Sequence, residues 1–259
     1  MTDTPLLELR GVFKSFGSVQ ALSDVDFDVR SGEVMALVGD NGAGKSTLIK
    51  CIAGIHPMDE GEIVFEGRRV TINGPKDAAK LGIEVVYQDL ALCDNLDVVQ
   101  NMYLGREANR FEVLQEPPME AKTRETLAAL RVTTIKSIRQ PVATLSGGQR
   151  QSVAVARAVM WNSKLVILDE PTAALGVAQT EQVLALVNRL AEQGLAVVLI
   201  SHNLHDVFET ASRITVLRLG RNVGVYDRKA TSQQQIVEAI TAGQPTKVSG
   251  IPSTQVAPA

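Results

Sequence analysis

The sequence predicts an α/β layered domain, because short apolar runs typical of strands alternate along the chain with segments of helical periodicity. The clearest strand covers residues 34–38, which are continuously apolar, as in a strand buried on both faces of a sheet. The clearest helix lies between residues 177 and 194. Its apolar residues share one helical face: Val183, Leu184, Val187, Leu190 and Ala191.

The same two patterns predict the remaining elements in order. We expect strands at 6–12, 25–29, 62–70, 84–87, 165–168 and 196–200, and a closing hairpin that joins 214–219 to 222–226 at Gly220-Arg221. Further helices are expected at 45–53, from Ser146 to about Trp161, and at 233–241. The stretch from 89 to about 162 lacks buried-strand runs, and we expect it to form a separate, mostly helical lobe.

The domain organisation follows from these elements and from a change in composition near the C-terminus. The 259 residues suffice for one domain with a lobe, or for two small domains. We interpret residues 1–243 as one domain with the lobe inserted at about 89–162. From about Ala242 the composition turns to Gly, Pro, Ser, Thr and Gln, so we expect residues 244–259 to form a disordered tail.

Composition and charge argue against several classes of protein. The net charge is −3 and the pI is about 5.7, so we expect no nucleic-acid partner. The longest apolar run, 195–200, is far short of the roughly 20 residues that span a bilayer. The N-terminus carries neither the basic nor the apolar region of a secretion signal. Cys51 and Cys93 form no CxxC pair, and we interpret both as small apolar residues.

A glycine-rich motif lies between the predicted strand at 34–38 and the predicted helix at 45–53. Glycines allow the backbone N–H groups to face a phosphate, and the helix directs its positive N-terminus to the same place. Lys45 adds a charge for the β- and γ-phosphates, and the Ser46 hydroxyl can ligate Mg²⁺. The motif therefore predicts a site for ATP with Mg²⁺. It matches G-x-x-x-x-G-K-[ST] over Gly39, Asp40, Asn41, Gly42, Ala43, Gly44, Lys45, Ser46 and Thr47.

Two carboxylates end the predicted strand at 165–168. Asp169 is placed to hold Mg²⁺, usually through water, and Glu170 would face the attacking water as general base. Strands often end in acidic turns, so the two carboxylates indicate a site for Mg²⁺ and hydrolysis only together with the glycine-rich loop.

A second candidate anion site opens the helix that runs to about Trp161. Ser146 is a plausible N-cap, and the N–H groups of Gly147 and Gly148 stand free at the helix start, before Gln149. A helix cap with flexible glycines would explain the same residues. One nucleotide does not need two phosphate cradles, however, so the two sites make sense if they face one another across a dimer.

Taken together, these motifs resemble those of the ATP-binding cassette family over roughly residues 5 to 240. The glycine-rich loop resembles the Walker A motif, 145–149 the LSGGQ signature, and 166–170 the Walker B strand. Phe16 resembles the aromatic residue that stacks on adenine, Gln88 the Q-loop glutamine, and His202 the H-loop histidine. LSGGQ between a Walker A and a Walker B motif is highly specific.

The resemblance implies a fold, a partner and a mechanism. The family fold is a P-loop NTPase with a RecA-like core, an antiparallel β subdomain and an inserted helical subdomain that carries LSGGQ. Family members act as head-to-tail dimers, so ATP would lie between the Walker A loop of one chain and Ser146, Gly147 and Gly148 of the other. Glu170 would act as base, His202 would touch the γ-phosphate, and Lys45 and Gln88 would complete the catalytic set. Mg²⁺ would be held by Ser46, Gln88 and Asp169.

One position departs from the family pattern. The family usually reads S-A-L-D after the Walker B motif, whereas this chain reads Ala173-Ala174-Leu175-Gly176. The resemblance implies that the missing aspartate helps the two sites of a dimer communicate. We therefore expect looser coupling between the sites rather than a loss of turnover, because Glu170 and His202 remain.

Within the family, the blocks 39–54, 82–107 and 172–179 resemble bacterial importers of the ribose, xylose and fructose type, in particular the fructose-type subunits with one cassette. The resemblance implies a second copy of the chain, a separate integral-membrane permease, a periplasmic sugar-binding protein, and a peripheral location on the cytoplasmic face of the inner membrane. Gln88 would lie near the permease.

Four alternatives remain open: import of another substrate, a repair or ribosome-associated ATPase, a scaffold that binds ATP without hydrolysis, and an exporter.

Overall fold

Twelve strands are present in the computed structural model of the protein, which describes residues 4–110 and 113–243. The predicted tail, 244–259, lies outside the described residues. The strands are β1 (Leu7–Phe16), β2 (Val19–Val29), β3 (Val34–Val38), β4 (Glu60–Phe65), β5 (Arg68–Val70), β6 (Ile83–Val86), β7 (Asn109–Arg110), β8 (Val113–Leu114), β9 (Leu165–Asp169), β10 (Ala196–Ile200), β11 (Arg213–Arg218) and β12 (Arg221–Asp227).

Eight α-helices connect these strands in the described part of the chain. None of the described helices is long and apolar enough to cross a bilayer. The helices are α1 (Lys45–Ile52), α2 (Pro75–Leu81), α3 (Val98–Tyr103), α4 (Glu116–Ala129), α5 (Gly147–Val159), α6 (Val177–Glu192), α7 (Leu204–Thr210) and α8 (Gln233–Ala242).

The central sheet has six strands in the order β12-β11-β3-β10-β9-β6. Strands β11, β3, β10, β9 and β6 run parallel, and β12 pairs antiparallel at the edge. On β3, Met35 and Leu37 pack into one hydrophobic cluster, whereas Ala36 and Val38 pack into another on the opposite face. Successive side chains point to opposite faces of a strand, so a continuously apolar run fits a strand covered on both sides. The α/β fold class is confirmed.

A second sheet has four antiparallel strands in the order β2-β1-β4-β5. Its inward side chains join the same cluster as Met35, Leu37 and the buried face of α1, so the two sheets share one core. The sequence predicted one strand at 62–70. The structure contains two strands there, β4 and β5, because Glu66 and Gly67 both have positive φ, of 51° and 74°, and turn the chain back.

The closing hairpin turns one residue earlier than the sequence predicted. Arg218 of β11 pairs with Arg221 of β12, so the two loop residues are Leu219 and Gly220 rather than Gly220 and Arg221. Leu219 has φ of 48° and Gly220 has φ of 74°, as a type I′ turn requires at both positions. The prediction of Gly220-Arg221 was wrong because leucine is an uncommon residue at positive φ.

Residues 89–162 contain α3, α4, α5 and the short hairpin β7–β8. Arg139 holds this region together, since its guanidinium bonds Glu116, Glu120 and Asp97. Asp97 in turn caps α3. The boundaries of a separate helical subdomain, and the domain range 1–243, stay predictions.

Candidate functional site

The carboxyl ends of four parallel strands lie side by side at one edge of the central sheet. Ile200 of β10 pairs with Leu37 of β3 on one side and with Asp169 of β9 on the other, and Val86 of β6 pairs with Leu168. Ligands of open α/β sheets bind outside the carboxyl ends of the strands. A cavity of about 470 Å³ opens there, lined by Val38, Gly39, Asp40, Asn41, Gln88, Glu170, Ala173, Ser201, His202, Leu204 and Ile240.

The glycine-rich loop leaves β3 and enters α1. A Cβ at Gly39, where φ is 152°, would lie 2.2 Å from the carbonyl oxygen of Leu217, so only glycine fits. The Lys45 ammonium donates to the backbone carbonyls of Gly39 at 2.6 Å and Asp40 at 3.1 Å. The loop therefore curls around its own lysine, and Gly39, Asp40 and Asn41 of this loop line the cavity.

The charges behind this loop are partly buried. Burial lowers the pKa of Lys45, and the nearby carboxylates of Glu170, Asp169 and Asp40 oppose that change. Burial also raises the pKa of Asp169, an effect that Glu170 reinforces and Lys45 opposes. Lys45 and Asp169 thus influence one another in a partly desolvated setting, where electrostatic interactions with a bound ion are stronger than in water.

The residues predicted to hold Mg²⁺ offer the oxygen donors that this ion prefers: the Ser46 hydroxyl, the Gln88 side-chain carbonyl and the Asp169 carboxylate. The described residues contain no cluster of three or more His, Cys, Asp or Glu side chains suited to a metal ion. Mg²⁺ typically binds through one or two carboxylates together with substrate phosphates and water. The donor set therefore fits Mg²⁺ bound with a nucleotide.

Glu170 and His202 are in direct contact. The Glu170 Oε2 atom lies 2.7 Å from the His202 Nδ1 atom. Glu170 follows β9 in the left-handed backbone region, with φ of 52°, and its N–H donates to the carbonyl of Ile200. His202 follows β10 and its side chain is 74% exposed, whereas that of Glu170 is 17% exposed. The structure thus brings a carboxylate and an imidazole together at the cavity. Their roles in catalysis stay predictions.

The signature turn lies elsewhere on the same chain. Ser146 caps α5 in a capping box with Gln149, and Ser146 and Gly147 are exposed. A Cβ at Gly147 would lie 2.8 Å from Leu175, and one at Gly148 would lie 3.1 Å from Gln179. Among the described residues, none of these four lines the cavity at Glu170. The turn therefore packs against the segment after β9 and keeps its outer side open.

Phe16 also lies outside the residues that line this cavity. Its ring is 44% exposed and meets the ring of His56 edge-on at 5.1 Å. The Lys14 ammonium, held by Asp59 at 2.6 Å, lies 5.4 Å from the Phe16 ring centre. Phe16 thus contacts His56 and Lys14 and remains partly accessible to solvent, and its role in adenine stacking stays a prediction.

Several residues at this site escaped the sequence analysis. Ser201, Leu204 and Ile240 line the cavity, and Asp206 and Thr172 form a hydrogen bond behind it. Ser201 directly precedes His202 in the sequence, and this position could have indicated a place at the site. Ile240 comes from α8 near the end of the described chain, and nothing in its local pattern indicated a place at the site.

The fold and the site define a P-loop nucleotide-binding protein of the α/β class. A model of the ABC transporter family matches residues 22–173. The chain belongs to the ABC transporter family, and it is an ATPase of that family. The resemblance stated from the motifs is confirmed.

Individual relatives match over most of the chain. The fructose import ATP-binding protein FrcA of Rhizobium meliloti is 47% identical over 94% of this chain and 96% of its own length. The xylose/arabinose import ATP-binding protein XylG of Sulfolobus acidocaldarius is 46% identical over 92% of this chain and 94% of its own. The ribose import ATP-binding protein RbsA of Yersinia pestis is 41% identical over 95% of this chain, which spans 48% of that relative.

Solved structures confirm the cassette fold. MJ1267, an ATP-binding cassette of an ABC transporter, superposes with a TM-score of 0.80 at 26% identity and covers 91% of this chain and 98% of its own. The dimeric structure of MJ0796, a bacterial ABC transporter cassette, superposes with a TM-score of 0.71 at 25% identity and covers 86% of this chain and 98% of its own.

Proposed function

We propose that this chain binds and hydrolyses Mg-ATP to drive uptake of a monosaccharide through a separate integral-membrane permease. The observation that carries the proposal is near full-length similarity to the fructose and xylose/arabinose import proteins, at 47% and 46% identity. A periplasmic sugar-binding protein would deliver the sugar, and the chain would lie on the cytoplasmic face of the inner membrane. Fructose, xylose and ribose are the candidate substrates.

The residues at the sheet edge support a hydrolytic mechanism. Lys45 and the backbone N–H groups of residues 39–47 would bind the β- and γ-phosphates. Ser46, Gln88 and Asp169 would hold Mg²⁺, which neutralises charge on the phosphates when bound. Glu170 would accept the proton of the attacking water. His202, in contact with Glu170, would orient the Glu170 carboxylate and touch the γ-phosphate.

The second half of the site would come from another copy of the chain. The turn at Ser146, Gly147, Gly148 and Gln149, which is exposed at Ser146 and Gly147, would present backbone N–H groups at the start of α5, where an anion is favoured. The same turn does not line the cavity of its own chain. A head-to-tail homodimer would bring it to the phosphates of the partner, with Phe16 stacked on the adenine.

Transport is tested in cells that lack the gene for this chain. We expect uptake of one labelled sugar among fructose, xylose and ribose to fall on deletion and to return with the wild-type gene but not with Glu170→Gln. The control is Glu192→Gln, an exposed carboxylate at the end of α6. Unchanged uptake of all three sugars after deletion would rule out the proposed sugars.

Nucleotide binding is tested on the purified chain. Lys45→Ala should lose most of its affinity for ATP and its turnover, because the loop loses the charge that faces the phosphates. Lys80→Ala removes an exposed lysine that pairs with Asp77 and should leave both unchanged. Full affinity and turnover in a folded Lys45→Ala variant would refute the nucleotide site.

A further inference from the structure

A buried carboxylate on α7 links the two loops that carry Glu170 and His202. Asp206 is 1% exposed. Its Oδ2 accepts a hydrogen bond from the Thr172 hydroxyl at 2.5 Å, and its Oδ1 accepts one from the Asn203 side-chain amide at 2.9 Å. Thr172 lies two residues after Glu170, and Asn203 directly follows His202. The two loops therefore meet twice, once at the cavity and once behind it.

Each loop is also held within itself. In the first, the Ala173 N–H donates to the Glu170 carbonyl at 3.1 Å and closes a turn around Pro171 and Thr172. In the second, the Asn203 N–H donates to the Ser201 hydroxyl at 3.0 Å, and the Asn203 side chain accepts from the His205 N–H. Both loops are held by internal hydrogen bonds. The bridge from Thr172 through Asp206 to Asn203 therefore also sets how Glu170 faces His202.

We infer that Asp206 is a positioning residue for ATP hydrolysis. Asp206 lines a separate groove between α6 and α7 and not the cavity that contains Glu170. It acts through Thr172 and Asn203, which hold the general base and the imidazole at their 2.7 Å contact. A buried carboxylate is costly unless its oxygens are hydrogen-bonded, and both oxygens of Asp206 bond to these two loops. This inference rests on the proposed hydrolytic function.

The chain offers a matched pair of threonines to test the inference. The Thr172 hydroxyl donates a hydrogen bond to the Asp206 carboxylate, whereas the Thr210 hydroxyl donates one to the Asp206 backbone carbonyl at 2.8 Å, within α7. Thr172→Val and Thr210→Val delete the same group with little change of shape. Each should lower the stability of the folded chain by a similar amount, because each removes one side-chain hydrogen bond.

The measurements are kcat for ATP and the affinity for a fluorescent ATP analogue, on the purified full chain. We expect Thr172→Val to lower kcat by about 10-fold, since a small misplacement of reacting groups costs up to about 100-fold. Its nucleotide affinity should stay unchanged, because residues 39–47 are untouched. Thr172→Ser should restore kcat, and Thr210→Val should match the wild type in both measurements.

A second comparison places the effect on Asp206. Adding Thr172→Val to Asp206→Ala should slow turnover no further, because the hydrogen bond is already gone. Equal kcat for Thr172→Val and the wild type, or equal losses in the two valine variants, would overturn the inference. The threonine comparison decides even if Asp206→Ala does not fold. A wild-type chain without ATP hydrolysis would instead overturn the proposed function, and this inference with it.

Discussion

Glu170 has a backbone conformation that side-chain-bearing residues seldom adopt. Its φ of 52° lies in the left-handed region, and such a residue costs on the order of 1–3 kcal/mol unless its surroundings hold it. Here the Glu170 N–H bonds Ile200 and its carbonyl accepts from Ala173. These bonds turn the chain sharply at the end of β9 and direct the carboxylate to His202. We interpret the strained turn as the device that presents the base.

Replacing this carboxylate by an amide tests its role directly. Glu170→Gln should lower kcat by roughly 10²- to 10⁴-fold, the usual contribution of general-base catalysis, with ATP binding retained. Phosphate release under single-turnover conditions and binding of a fluorescent ATP analogue measure the two effects. Glu192→Gln provides the control. Full single-turnover hydrolysis by Glu170→Gln would show that another group takes the proton.

The two cysteines should differ in reactivity. Burial raises the pKa of the Cys51 thiol to about 11, above the ordinary value of 9.0, whereas Cys93 is half-buried. The thiolate is the reactive form, so a raised pKa leaves less of it at pH 8. We expect an alkylating reagent to label Cys93 first at pH 8. Cys51 should become more reactive as the pH rises towards the pKa of its thiol in the folded chain.

Peptide mapping by mass spectrometry identifies the labelled cysteine. Both thiols should react at pH 8 once the chain is unfolded in denaturant, which is the internal control. Ionisation of a group with a raised pKa disfavours the folded state. The contribution of the Cys51 thiol to the free energy of unfolding is thus complete below its ordinary pKa. It is lost as the pH rises through the pKa of the thiol in the folded chain. Faster labelling of Cys51 than of Cys93 in the folded chain would contradict the burial described here.

At the scale of elements, the start of α6 differs from the starts of α5 and α7. Ser146 and Asn203 accept hydrogen bonds at the N-caps of α5 and α7, whereas the N-cap residue of α6, Gly176, has no side chain to accept one. A Cβ at Gly176 would meet nothing within 4 Å among the described atoms, and its φ of −74° suits any residue. The family aspartate missing from this position therefore fits the backbone.

Gly176→Asp should have two separable effects. Aspartate is a preferred N-cap residue and exceeds glycine by a few tenths of a kcal/mol, so the free energy of unfolding should rise slightly. We also expect communication between the two sites to tighten, seen as a higher Hill coefficient for ATP. Urea unfolding and steady-state ATPase assays measure these effects. Gly176→Ala supplies neither the cap nor the carboxylate. A Hill coefficient equal to that of the wild type would refute the coupling role.

At the scale of the whole molecule, the cavity at Glu170 and the turn at Ser146 are separate parts of one chain. We therefore predict that ATP joins two copies. Glu170→Gln, which should retain ATP, is expected to sediment near the mass of one 27.8 kDa chain without nucleotide and near twice that mass with Mg-ATP. Analytical ultracentrifugation measures the change.

Two capping serines provide a matched test of this dimer. Ser146 and Ser232 both cap helices in capping boxes, on α5 and α8. In the Glu170→Gln background, Ser146→Arg should block the ATP-dependent dimer by placing a bulky side chain at the phosphate-facing turn. Ser232→Arg should lose a similar capping energy of about 1 kcal/mol and still dimerise. Dimers in both variants would show that the turn at Ser146 is not at the interface.

The sequence predicted those structural features that depend on residues close together in the chain. The apolar runs at β3, β9 and β10 predicted buried strands, and residues 39–47 predicted the phosphate loop, because strand burial and loop curvature depend on local residue type. The predicted position of the turn in the closing hairpin was wrong. Leu219 adopts a positive φ that its side chain disfavours, so the hairpin turned one residue away from the prediction.

The sequence by itself determined the class of this protein and its loop for phosphate, since both depend on contiguous motifs with fixed spacing. Only the tertiary structure decided which distant residues meet. Thr172 and Asp206 are 34 residues apart, and their hydrogen bond exists because β9 and β10 are neighbours in the sheet. The packing of α8 against side chains of β3 and β11 brings Ile240 to the cavity. Such contacts arise from the folding of the whole chain, which no local pattern of residues encodes.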